Sequence, residues 1–131
     1  MPKGKPILCL DFDGVCHSYT SGWKGANVIP DMPVDGLFEF LHDAVQKFDV
    51  RIFSSRSNQP SGIGAMMAWF LRWAEELGQG TDYLKIVRQL TFPSEKPPAF
   101  VGIDDRVLTF TGKWPAIEEL QAFKPWNKKQ V

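Results

Sequence analysis

Three short apolar runs, Ile7–Leu10, Val50–Phe53 and Phe100–Ile103, each stop abruptly at polar residues. Between them lie segments with helical spacing of apolar positions, and this alternation constrains the chain more than anything else in it. Ile7–Leu10 reads as a strand buried on both faces, the kind that builds parallel sheets, Val50–Phe53 as a second strand and Phe100–Ile103 as another buried one. From Val34 the positions Val34, Leu37, Phe38, Leu41, Val45 and Phe48 predict a first helix, with Pro33 in its first turn. A second helix is expected from Ser61 to Leu77, stopped by Gly78, with Ile63, Met67, Phe70, Ala74 and Leu77 as its inner stripe. Leu84 to Phe92 reads as either a short helix or a strand. Val107 to Phe110 reads as a last strand, Pro115 to Phe123 as a last helix, and Asn127 to Gln130 as a polar tail. Strands alternating with helices predict an α/β fold, a parallel sheet flanked by helices.

The strand ends hold the chemistry. Ile7–Leu10 runs into Asp11 and Asp13, Val50–Phe53 into Ser54-Ser55-Arg56, and Phe100–Ile103 into Asp104-Asp105-Arg106. In open α/β sheets ligands bind beyond the carboxyl ends of the strands. Two pairs of carboxylates gathered there repel unless a cation shares them, and an all-oxygen set suits Mg²⁺. A calcium loop of the EF-hand type is excluded, because Gly14 directly follows Asp13 and no Glu stands at the twelfth position.

The bulk numbers fit one soluble domain spanning residues 1–131, with no repeats and no internal linker. The chain is 44% hydrophobic and 23% charged, which argues against disorder. Fifteen basic residues balance fifteen acidic ones, so no net charge announces nucleic acid or a membrane surface. No stretch approaches the ~18 apolar residues of a membrane span. Two cysteines, Cys9 and Cys16, with no leader before them, predict a reducing cytoplasm. Five Trp and ten Phe are expected mainly to fill the core.

Four motifs in order resemble the haloacid-dehalogenase-like (HAD) superfamily, mostly Mg²⁺-dependent phosphatases. Asp11-Phe12-Asp13-Gly14 resembles the first motif, Ser54 the second, Lys96 the third and Ile103-Asp104-Asp105-Arg106 the fourth. The resemblance implies a three-layer Rossmann-like fold and a phosphomonoester hydrolase acting through an aspartyl-phosphate. Asp11 would be the nucleophile and Asp13 the general acid and base. Asp11, the Asp13 backbone carbonyl and Asp104 would hold Mg²⁺, with Asp105 as helper. Ser54 would bind a phosphoryl oxygen, a role that Ser55 takes if the strand is one residue longer. Lys96 would neutralise Asp11 and the phosphate, Gly14 would let the backbone turn beside it, and Arg56 would clamp a second phosphate or form a structural ion pair. Arg106 reads as a brace of the acid loop, and His17 as a satisfied loop histidine or a substrate contact. His42 and the two cysteines receive no role.

Neither residues 14–33 nor residues 57–95 have room for the cap domain that such enzymes commonly carry, so the site should be open. Only the loop from Ser18 to Gly25 would screen it, with Trp23 and Lys24 either stacking on a nucleotide or packing against the body. An open site implies a large phosphorylated partner, a nucleotide, nucleic-acid end or phosphoprotein, or a second subunit that serves as lid. The Asp-Asp-Arg form of the fourth motif also resembles polynucleotide kinase-phosphatases. A phosphate-binding domain without turnover, or a phosphotransferase, is the alternative.

Overall fold

Strand β1 (Ile7–Leu10) is the centre of a three-stranded parallel sheet, with β2 (Asp49–Ile52) on one side and β3 (Val101–Ile103) on the other. The computed structural model describes residues 4–78 and 81–127. Between β1 and β2 runs α1 (Leu37–Lys47), and between β2 and β3 run α2 (Gly62–Gly78) and α3 (Thr81–Val87). A short α4 (Ile117–Gln121) closes the order. The chain therefore leaves β1 toward β2, then crosses back to lay β3 on the opposite side. That reversal of strand order opens a crevice at the carboxyl end of β1, where α/β sheets place ligands. The α/β class and parallel sheet expected from the sequence are present.

The core lies on the sheet face that carries Leu8, Leu10, Val50 and Ile52. Register pairs Leu8 with Val50 and Leu10 with Ile52, so alternation sends all four the same way. Against them α1 lays Leu37, Phe38, Leu41, Ala44 and Val45, spaced for one helical stripe. α1 begins three residues later than Val34. The Val34 N–H is taken by the Cys16 carbonyl at 2.9 Å, and Gly36 sits at φ 87°, outside helical space.

The inner stripe of α2 is Met66, Trp69, Phe70, Trp73 and Ala74. Of the expected stripe Phe70 and Ala74 are buried, but Met67 and Leu77 face out. The helix is apolar nearly all round, so spacing alone leaves its rotation open. Its docking supplies what fixes it: Trp69 Nε1 donates to the Asp31 carbonyl at 3.0 Å, and Gly62 lies where any side chain would strike the Arg56 carbonyl. Both readings of Leu84–Phe92 are met in part. α3 is helical to Val87, and Thr91 then pairs in parallel with Arg51, extending the sheet beyond β2.

The last third departs from expectation. β3 is exposed along its length instead of buried: it pairs with β1, and among the described residues no helix packs extensively on it. Val107–Phe110 forms no strand, for want of a partner strand, and stands exposed with Phe100 and Trp114. The final helix is shorter than Pro115–Phe123 and buries no residue. Only Trp69 and Trp73 of the five tryptophans are core. Residues 128–130 of the expected tail lie outside the described residues. No helix among the described residues is long and apolar enough to cross a membrane.

Candidate functional site

Asp11 follows β1 directly, and its N–H is bonded to the Ile103 carbonyl at 3.0 Å. That bond ties the ends of β1 and β3 together and brings the first and fourth motifs to one point. Ligand oxygens of Asp11, Asp104 and Asp105 lie within 4.8 Å of one another. Past Asp11 the chain turns back sharply: the N–H groups of Cys16 and His17 both reach the Phe12 carbonyl at 2.9 Å. Gly14 makes this turn at φ 85°, and any Cβ there would collide with the Asp105 carboxylate. Gly14 is thus where the two acid loops touch.

The three carboxylates are short of positive charge. Burial first, then the Asp104 charge and hydrogen bonding to Asp105, push the Asp11 carboxyl up to about 8. Asp105 Oδ1 is buried without a partner. Among the described residues no lysine or arginine pairs with any of the three. Crowded hard oxygens with an unsatisfied acceptor fit a divalent cation such as Mg²⁺ and do not suit thiophilic metals.

Asp13 has a different environment. Its side chain stands outside the cluster and is held by Arg56 and His17. Arg56 Nε donates to Asp13 Oδ2 at 2.9 Å and to Oδ1 at 3.2 Å, and His17 Nδ1 donates to Oδ1 at 2.9 Å. Arg56 is fully buried, so it is an internal ion-pair partner and is not open to a second phosphate. Its Nη1 donates to the carbonyls of Gly25, Ala26 and Val28, and Trp23 covers the guanidinium at 4.7 Å. One face of Trp23 therefore rests on the Arg56 guanidinium, while the rest of the ring and Lys24 stay exposed.

Ser54 and Ser55 both reach the cleft. Ser54 is buried, its Oγ accepts the Arg56 N–H at 3.0 Å, and its hydroxyl proton remains to be donated. Ser55 is exposed. Lys96 is exposed on irregular chain and lines, with Asp11, Asp104 and Phe53, a cleft of about 700 Å³. A second hollow of about 390 Å³ shares Asp11, Ser54, Ser55 and Asp104 and adds Asp13 and Tyr19. Arg106 braces the acid loop through its backbone, whose N–H bonds Asp104 Oδ1 at 2.8 Å. Burial raises both thiols, Cys9 and Cys16, which suits packing and not nucleophilic attack. His42 is exposed on α1 and lines neither hollow.

Residue spacing alone did not reveal His17 and Arg56 as partners of Asp13. His17 stands four residues after Asp13 in irregular chain, where no periodicity predicts a contact, and the Arg56 pair spans 43 residues. No family model, curated protein or solved structure matches this chain.

Proposed function

We propose that the chain is a Mg²⁺-dependent phosphomonoester hydrolase of the HAD type, without a cap domain and with the three-layer Rossmann-like fold of that superfamily. The observation that carries this is the convergence of Asp11, Asp104 and Asp105 at the switch point of a parallel sheet, with Ser54 at the neighbouring strand end. Asp11, Asp104, Asp105 and the Asp13 backbone carbonyl would hold the ion. When bound, Mg²⁺ offsets negative charge on the nucleophile and on the transferred phosphoryl oxygens.

Asp11 attacks phosphorus as the bond to the leaving oxygen breaks, and Asp13 gives that oxygen its proton. Asp13 then takes a proton from water, whose oxygen attacks the phosphorus. The bond to Asp11 breaks and its electron pair returns to the carboxylate. Ser54 donates to a phosphoryl oxygen, with Ser55 beside it at the rim, and Lys96 brings positive charge to the cleft. The two roles require the ion: with Mg²⁺ held by Asp11, Asp104 and Asp105, Asp11 would stay ionised for attack, while Asp13, whose side chain stands outside that cluster, would exchange the proton. The open cleft favours a large or nucleotide-type phosphate ester.

Hydrolysis of p-nitrophenyl phosphate should require both Mg²⁺ and Asp11, and Asp11→Asn should lower the rate by at least about 10³-fold. Turnover that survives the substitution would refute the nucleophile. Metal-dependent binding of a phosphate analogue without hydrolysis would make this a binding domain, and phosphate appearing on an added alcohol would make it a phosphotransferase.

A further inference from the structure

We propose that Arg56 and His17 are positioning residues that fix the Asp13 carboxyl for proton transfer to the leaving oxygen. The inference rests on the hydrolase function proposed above and goes beyond it.

Neither side chain lines the cleft or the hollow that reach Asp11, so both act through Asp13. Each is wholly buried and anchored from behind. Arg56 is held by its Nη1, which donates to the carbonyls of residues 25, 26 and 28, and by the Trp23 ring, while its Nη2 is buried without a partner. His17 stacks on Phe12 at 5.5 Å and meets Trp69 edge-on at 5.8 Å. Its Nε2 accepts the Asp31 N–H at 3.1 Å, which leaves the ring proton on Nδ1, facing Asp13. The Asp31 carboxylate, 3.6 Å from the same nitrogen, is occupied by Ser21, whose N–H and hydroxyl donate to it at 2.8 and 2.6 Å. Asp31 is pinned in turn by Trp69, whose indole donates to its carbonyl. A chain of contacts thus runs from the core through Trp69, Asp31 and His17 to one oxygen of Asp13, and Arg56 holds both oxygens.

A carboxyl held from two sides keeps one rotamer, and proton transfer is sensitive to displacements of about 1 Å. Proton donation matters most for poor leaving groups. An alkoxide must be protonated as it departs, whereas p-nitrophenolate leaves without help. The test compares kcat/KM, which reports the steps through departure of the leaving group, for glycerol 2-phosphate and p-nitrophenyl phosphate with Mg²⁺ present. The proteins are wild type, His17→Phe, His17→Asn and Arg56→Lys, each checked by thermal melting.

His17→Phe keeps the packing and removes the donor; the expected loss on the alkyl ester exceeds that on the aryl ester by about tenfold or more. His17→Asn sacrifices packing but keeps a donor near the Nδ1 position, so most of the alkyl-specific loss should be recovered despite a lower melting temperature. Arg56→Lys cannot hold Asp13 and three carbonyls together, and it too should lose more on the alkyl ester. Should Arg56→Lys fail to fold, the two His17 variants decide alone. Equal losses on both esters, or Phe outperforming Asn on the alkyl ester, would overturn the positioning role while leaving the hydrolase standing. A wild-type protein that hydrolyses neither ester would remove the hydrolase function, and this inference with it.

Discussion

Removing the charge of Asp11 should stabilise the metal-free protein in alkaline solution while abolishing its chemistry. The Asp11 carboxyl is pushed up to about 8 by burial, by Asp104 and by Asp105, against an ordinary 3.8. A carboxyl with a raised folded value holds its proton more tightly when folded. Its contribution to stability is fully present below about pH 4 and is lost as pH rises through about 8. Four units at about 1.4 kcal/mol each set a ceiling of roughly 5–6 kcal/mol. Asp11 is only partly buried, and solvent screening reduces this to about 2–3 kcal/mol. In melting temperature that is about 5–10 °C for a chain of this size. Asn at the same place carries no charge, and its side-chain oxygen can still accept the Phe12 N–H that now serves Asp11. Metal-free wild type, melted from about pH 5 to about pH 9, should therefore lose stability more steeply than Asp11→Asn. Mg²⁺ at about a hundred times its dissociation constant should restore about 2.7 kcal/mol to wild type and much less to the variant. Parallel melting curves for the two proteins would show that the three carboxylates do not crowd one another, and no effect of Mg²⁺ on wild type would show that they share no cation.

Three further substitutions probe how the site is carried. Gly14→Ala forces a side chain into a left-handed turn against the Asp105 carboxylate, and should cost about 1–3 kcal/mol in denaturant melts. Met66→Ala empties a fully buried site on α2 and should cost about 2–5 kcal/mol, whereas Trp114→Ala, at 87% exposure, should change stability by less than about 0.5 kcal/mol. A Trp114→Ala loss comparable with that of Met66→Ala would mean that the chain after β3 contributes to the core.

The sheet was legible because apolar runs with polar stops leave little choice, and the acids at the stops were legible because carboxylates are rare there. Rotation of α2 was not: a helix apolar on most of its circumference has no preferred face until Trp69 finds Asp31. The last third was misread for a related reason. Phe100, Val101 and Ile103 have strand composition, but composition cannot tell an edge strand without a covering layer from a central one, and burial follows from neighbours.

The two acids of the first motif show how far a short stretch of sequence can go. Asp11 and Asp13 are the same residue type two positions apart, and nothing in Asp11-Phe12-Asp13-Gly14 separates them. Their fates diverge because the chain leaves the strand direction after Asp11, and the turn closed on the Phe12 carbonyl with Gly14 at positive φ sends Asp13 to different neighbours. Asp11 faces two further acids, and Asp13 meets a buried guanidinium and an imidazole N–H. The first environment penalises negative charge until a metal ion arrives; the second already contains a fixed cation, Arg56. A site that must accept a metal at one carboxylate and move protons at the next needs that asymmetry. Here it is supplied by an arginine 43 positions away and by a loop histidine, the parts of the chain whose contacts only folding reveals.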